Sequence, residues 1–249
     1  MATDATLTAE LTAHLTSKGV PPSPTWLTHT LLPTLRTNNN ARTVPLAATK
    51  QTALFRLLAT DITSCLAHSS ASNRLPPSVA NGVVKELVIP GPVAVQVLDV
   101  EDVGRSRWSQ VEALEARERG ETTKGREIIR LADNADGEEG EGEGGVRTQH
   151  SAATAAVSEG PSGPHKLLLV DAAGTKVYGF ELAPVSGVGV EKMGIGAKLV
   201  LRNVVVARGV VLLEPRTTTC LGGRVEALDK VWKEGRLARL KEAARMEER

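Results

Sequence analysis

Few side chains in this chain are of a type that does covalent or metal chemistry, and none are spaced to do it together. The five histidines, His14, His29, His68, His150 and His165, offer no pair placed to share a metal ion. The two cysteines, Cys65 and Cys220, lie far apart without metal-ligand spacing, and read as buried thiols of a reducing compartment. No G-x-S-x-G elbow, Walker loop or nucleophile–base–acid set occurs. Gly187-Val188-Gly189 and Gly194-Ile195-Gly196 superficially resemble a dinucleotide loop. They lie between strands with no helix after them, so they read as a turn-rich connection. The expectation is a protein that is no enzyme and uses no metal or cofactor.

What remains is binding chemistry. Lys198, Arg202 and Arg208 are expected to point off the apolar face of the run 196–213. As a group on one edge they read equally as solvated charges or as a partner contact. Trp108 is the one large aromatic in a long interruption at about 104–164. A tryptophan so placed is either tucked back onto the body or offered as an anchor. Tyr178 and Phe180 would be the stacking platforms if single-stranded nucleic acid bound here. Their shared parity with Leu182 makes barrel interior the expected place for both.

Those residues must be positioned by elements that the hydrophobic periods define. Residues 1–68 read as a three-helix bundle. Leu7, Leu11 and Leu15 recur on one face. Ser23-Pro24 opens a second helix carrying Trp26, Leu27, Leu31 and Leu35, which Pro33 should kink or end early. Asn38-Asn39-Asn40 reads as a turn. Residues 49–66 read as one helix with Leu54, Leu57, Leu58, Ile62, Cys65 and Leu66 along it. Residues 69–92 are a linker with a short apolar stretch at 87–89. Strands then begin. Val93, Val95 and Val97 alternate, then Leu98 and Val100 continue on the other parity, which marks a bulge. Further strands are expected at 166–170 and 176–182, with a turn at Ala172-Ala173-Gly174. The run from Gly196 reads as two strands joined at Ala207-Arg208-Gly209, the first alternating over 197–202 and the second at 210–213, with a stop at Pro215. Five strands fit an α+β chain with an OB-type barrel over 93–222. Residues 223–249 are a charged helix with a stripe of Val225, Leu228, Val231 and Trp232, divided at Gly235.

The interruption opens with RSRWSQVEALEARERG, a short helix or an extended arm. Residues 132–145 then hold six acidic side chains and no basic one, a solvated spacer. Loops of this length are functional or disordered.

The 249 residues are 41% hydrophobic but only 2% aromatic, so the core must be built of Val, Leu, Ile and Ala. A net charge of +1 provides no global pull towards nucleic acid or membrane. No apolar run reaches membrane-spanning length, and the N-terminus lacks the basic and apolar regions of a secretory signal.

Several stretches are similar to one known family: PPSPTWLTHTLLP (21–33), ALFRLLATDI (53–62), VAVQVLDVEDVGRSRWSQVEAL (93–114), KLLLVDAAGTKVYGFEL (166–182) and GAKLVLRNVVVARGVVLLEPRTTTCLGGRVEAL (196–228). They resemble the RecQ-mediated genome instability protein 1 family, in its shorter single-barrel form. The last stretch is the most specific part. The resemblance implies a nuclear, non-catalytic subunit that binds a type IA topoisomerase (topoisomerase III) through its barrel and acts with a RecQ-family helicase in dissolving double Holliday junctions. It implies that the loop after the first barrel strand is a decatenation element, with Arg107, Trp108, Ser109, Gln110 and Leu114 at its start. It places the family's partner-binding lysine on Lys198. DNA is then a weak contact or one made through the complex. The competing reading is an OB module that binds single-stranded nucleic acid directly.

Overall fold

The structure, a computed structural model, describes residues 4–38, 45–67, 73–120 and 163–247. Helices come first. α1 (Asp4–Ser17) buries Leu11 and Leu15. The run from Pro24 continues as α2 (Pro24–Trp26), a π-helical turn (Leu27–Leu31) and α3 (Leu32–Asn38). Pro33 therefore does not end this helix early. A proline offers no N–H to the preceding turn, and its ring crowds the carbonyl four residues back. The wider turn, in which the Leu32 N–H reaches Leu27 O, lies directly before Pro33 and accommodates it.

The single helix expected over 49–66 is two: α4 (Leu46–Leu58) and α5 (Ile62–Cys65). Asp61 makes the break. Its Oδ1 accepts the Thr63 N–H at 2.9 Å and the Thr63 hydroxyl at 2.6 Å, which caps α5. The turn expected after Asn38 lies mostly outside the described residues.

Eight strands follow: β1 (Glu86–Ile89), β2 (Val93–Asp102), β3 (His165–Asp171), β4 (Lys176–Glu181), β5 (Lys198–Leu201), β6 (Val204–Ala207), β7 (Val210–Leu213) and β8 (Thr218–Gly222). They hydrogen-bond in the order β1-β6-β7-β4-β3-β2-β5-β8. The five expected strands are β2, β3, β4, β5 and β7. β1 occupies the stretch read as linker, and β8 follows the proline stop. β5 and β6 are one expected strand broken at Asn203, whose φ of 49° is left-handed. β1 and β8 are the two ends of the strand order and do not pair with each other. β2 pairs with β5 through Val93–Gln96 and with β3 through Val95–Asp102, with a register shift between Val97 and Asp99. The bulge lies where the parity slip indicated. β4 and β7 are parallel, and β6 meets β7 through a two-residue turn in which Arg208 and Gly209 both have positive φ.

α6 (Arg107–Glu118) and α7 (Glu226–Glu247) pack on each other. α7 is continuous through Gly235. Its Trp232 is buried and Val231 is exposed, so the apolar stripe is narrower than the sequence suggested. The sheet's interior is aliphatic. A second apolar cluster joins the helices to Ala94, Val170, Ala172 and Val200 of the sheet, so helical unit and barrel share one seam.

Candidate partner-binding surface

Lys198 is not on the surface. It lies at the start of β5 and is fully buried, with its Nζ donating to Leu58 O at 2.9 Å and Thr60 O at 2.6 Å. These are carbonyls at the end of α4, where a cation also meets the negative end of the helix dipole. Burial pulls the Lys198 amine down to about 8, with the Asp61 carboxylate acting the other way. Beside it Gln96, also fully buried, accepts the Ile62 N–H at 2.9 Å and donates to Asp61 Oδ2 at 3.1 Å. Burial tends to raise the Asp61 carboxyl, but the bonds from Thr63 and Gln96 prevail and hold it below its ordinary value. Lys198 and Gln96 thus fasten the helical unit to the barrel.

Arg202 and Arg208 are exposed, as expected, at opposite ends of β6. The three cations therefore do not form one edge: two face solvent and one is a buried clasp.

The long interruption has a built base. A Cβ on Gly104 would lie 2.3 Å from Gly163 Cα, so the backbones entering and leaving the insert touch. Outside that contact the Val103 N–H donates to Pro164 O at 3.0 Å. Asp102, buried, accepts the Gly104 N–H and pairs with Arg105 Nε, both at 2.9 Å. The start of the insert is the helix α6, capped by the Ser106 hydroxyl accepting the Ser109 N–H at 3.1 Å. Gln110 is buried and its amide donates to Asp102 O and Arg105 O, so it fastens the helix to the stem and is no surface contact. Trp108 is 45% exposed at the helix start, Leu114 and Arg107 are half-buried, and Ser109 borders them. α6 is braced by α7 through Glu115 and Lys241 Nζ at 2.6 Å, a bond that lowers the Glu115 carboxyl. α7 is in turn tied to the bulge by the Trp232 indole N–H, which donates to Asp99 Oδ1 at 2.5 Å. The acidic tract at 132–145 lies outside the described residues.

Tyr178 and Phe180 are not barrel interior. The inward residues of β4 are Val177, Gly179 and Glu181, while Tyr178 is 50% and Leu182 56% exposed and Phe180 is half-buried. Lys166 Nζ stands 4.8 Å from the Tyr178 ring centroid. His165 serves packing: its Nδ1 lies 2.5 Å from the buried Glu181 carboxylate. The glycine cluster at 187–196 is a connection without a following helix, and a Cβ on Gly196 would lie 2.4 Å from Val225 N. Among the described residues no group of His, Cys, Asp and Glu could hold a metal, and no helix is long and apolar enough to cross a membrane.

A clasped helical unit, a bulged first barrel strand and a long insert directly after it are thus in hand. The profile of the RMI1 N-terminal OB-fold domain matches residues 58–236, and that of the RMI1 N-terminal helical domain matches residues 15–65. The chain belongs to the RMI1 family. It is also similar to RecQ-mediated genome instability protein 1 of Schizosaccharomyces pombe, with 30% identity over 227 residues, covering 90% of each chain. In this RMI1-family chain sequence reading missed Gln96, Asp61 and the Gly104–Gly163 contact. A polar residue amid valines, at Gln96 in VAVQV, was the available signal for the first.

Proposed function

We propose that this chain is a non-catalytic, nuclear subunit of a topoisomerase III–RecQ helicase complex. It binds the type IA topoisomerase through its barrel and presents the insert at 104–164 to the enzyme's gate, promoting decatenation and double Holliday junction dissolution. The observation that carries this reading is the touching pair Gly104 and Gly163 with α6 braced beside it. Such a base brings the two ends of the insert together at one point beside the first barrel strand. A segment that enters an opened gate favours the open state only by binding it better than the closed one. Arg107, Trp108, Ser109 and Leu114 on α6 would meet the partner at the gate, and Arg202 and Arg208 would meet it on the barrel. Lys198 would act indirectly, by keeping the helical unit docked.

The test uses a purified type IA topoisomerase with the full chain and with a variant shortened by half between Gly120 and Gly163. Retained binding with an altered ratio of decatenation to relaxation is the expected result. An unchanged ratio would remove the gate reading.

A second reading, direct binding of single strands, draws on the exposure of Tyr178 on the β3–β4 face, where OB barrels take oligonucleotides. Tight binding of an oligonucleotide by this chain alone, falling steeply between two salt concentrations, would favour it.

A further inference from the structure

The outward side of the sheet across β3, β4, β7 and β6 is apolar where water normally meets polar residues. Tyr178 stands opposite Leu168 on one side and Val210 on the other. In the next row Phe180 stands opposite Leu212, and Leu212 shares a groove with Val205. All six are exposed or half-buried, while the alternate residues Val177, Val211, Leu213, Val204 and Val206 are buried inside. The helical unit packs against Ala94, Val170, Ala172 and Val200, which belong to β2, β3, β5 and the turn after β3.

The charges around these rows are unbalanced. Glu101 is taken by Lys166 at 3.4 Å and Glu214 by Arg216 at 2.6 Å. Lys176, Arg202 and Arg208 are exposed and have no ion pair among the described residues, and they outnumber Glu86, the exposed carboxylate that stands opposite Ala207 at the β1 end of the first row. An apolar strip rimmed by uncompensated cations complements an apolar segment flanked by carboxylates. Single-stranded nucleic acid fits less well. Stacking needs open ring faces; here four of the six side chains are aliphatic and Lys166 stands over the one well-exposed ring.

We infer that the outer face of β4, β7 and β6 is a docking surface for a carboxylate-flanked apolar segment of this chain's protein partner. The inference rests on the topoisomerase-subunit reading above, since that enzyme is the partner tested.

The experiment is calorimetric titration of the full chain with a type IA topoisomerase at low and moderate salt, with thermal unfolding as the check on folding. Tyr178→Glu is expected to weaken binding roughly tenfold or more. Lys176→Glu, at an exposed side chain that cannot disturb the core, is expected to weaken it about threefold at low salt and less at higher salt. Wild-type binding with both variants unchanged overturns the surface and leaves the topoisomerase reading standing. No binding by the wild type overturns both. Binding of oligothymidylate that is lost in Tyr178→Glu, with topoisomerase affinity unchanged, also overturns the surface and makes it a nucleic-acid face.

Discussion

Gly104 and Gly163 meet backbone to backbone: a Cβ on Gly163 would lie 2.2 Å from Gly104 Cα. No side chain fits between the two ends of the insert, and neither end can shift without disturbing the Asp102 and Pro164 bonds beside them. Gly163→Ala is therefore expected to destabilise the protein by about 1–3 kcal/mol, as overpacking does. Chemical denaturation of the variant against the wild type measures this. Because closing a longer loop adds little entropy, halving the stretch between Gly120 and Gly163 should change the unfolding midpoint far less.

Lys198 satisfies two carbonyls at the end of α4 from within the barrel. Lys198→Met keeps the volume and removes the donors, and is expected to cost about 2–4 kcal/mol. Lys198→Glu sets a carboxylate against those carbonyls and should undock the helical unit. Hydrogen exchange of α4 and α5 would rise in Lys198→Glu while β3 and β4 stay protected. A partner-binding defect in Lys198→Glu would then come with lost docking, whereas a surface contact would leave exchange unchanged.

The same lysine gives a pH signature. Its folded value of about 8 lies below the ordinary 10.5. Below pH 8 both folded and unfolded chains carry the proton, and above 10.5 neither does. Between those values only the unfolded chain holds it, so raising the pH across this window stabilises the fold, by on the order of 2–3 kcal/mol. Urea unfolding at pH 7.5 and pH 10 should show the increase in the wild type and lose it in Lys198→Met. The comparison removes the contribution of groups that do not interact with Lys198. The Cys65 thiol beside it, which burial pushes up to about 12, works in the opposite sense above pH 9 and reduces the net increase.

Trp232 connects α7 to the bulge of β2 through Asp99. Trp232→Phe keeps most of the apolar contact and removes the N–H, for an expected loss of about 1–2 kcal/mol. Since α7 braces α6, exchange protection should fall in both helices. Loss confined to α7 would show that α6 is held by its own stem contacts through Gln110.

Much of this was legible in the sequence because alternation and turn chemistry are local. The parity slip after Val97 gave the bulge. The Ala172-Ala173-Gly174 turn is held by Asp171, whose Oδ1 accepts the N–H groups of Ala173 and Thr175. The misreadings have one physical cause: parity assigns a residue to a face and says nothing about what covers that face. Lys198 does lie opposite Leu199, but that face is roofed by α4. Tyr178, Phe180 and Leu182 do share a side, but the interior of β4 is lined by Val177, Gly179 and a satisfied Glu181. The broken fourth strand turns on one left-handed asparagine, and the helix break at Asp61 on one cap; neither alters the hydrophobic period around it.

The apolar seam at Ala94, Val170, Ala172 and Val200 bears on how the molecule can be dissected. Excising the leading helices would not yield an autonomous barrel with one function subtracted. It would bare an oily flank and take from the Lys198 ammonium the two carbonyls that hold it. Any phenotype of such a truncation would report a crippled remainder, and the division of labour between the two halves must be sought by point substitutions on their outer surfaces.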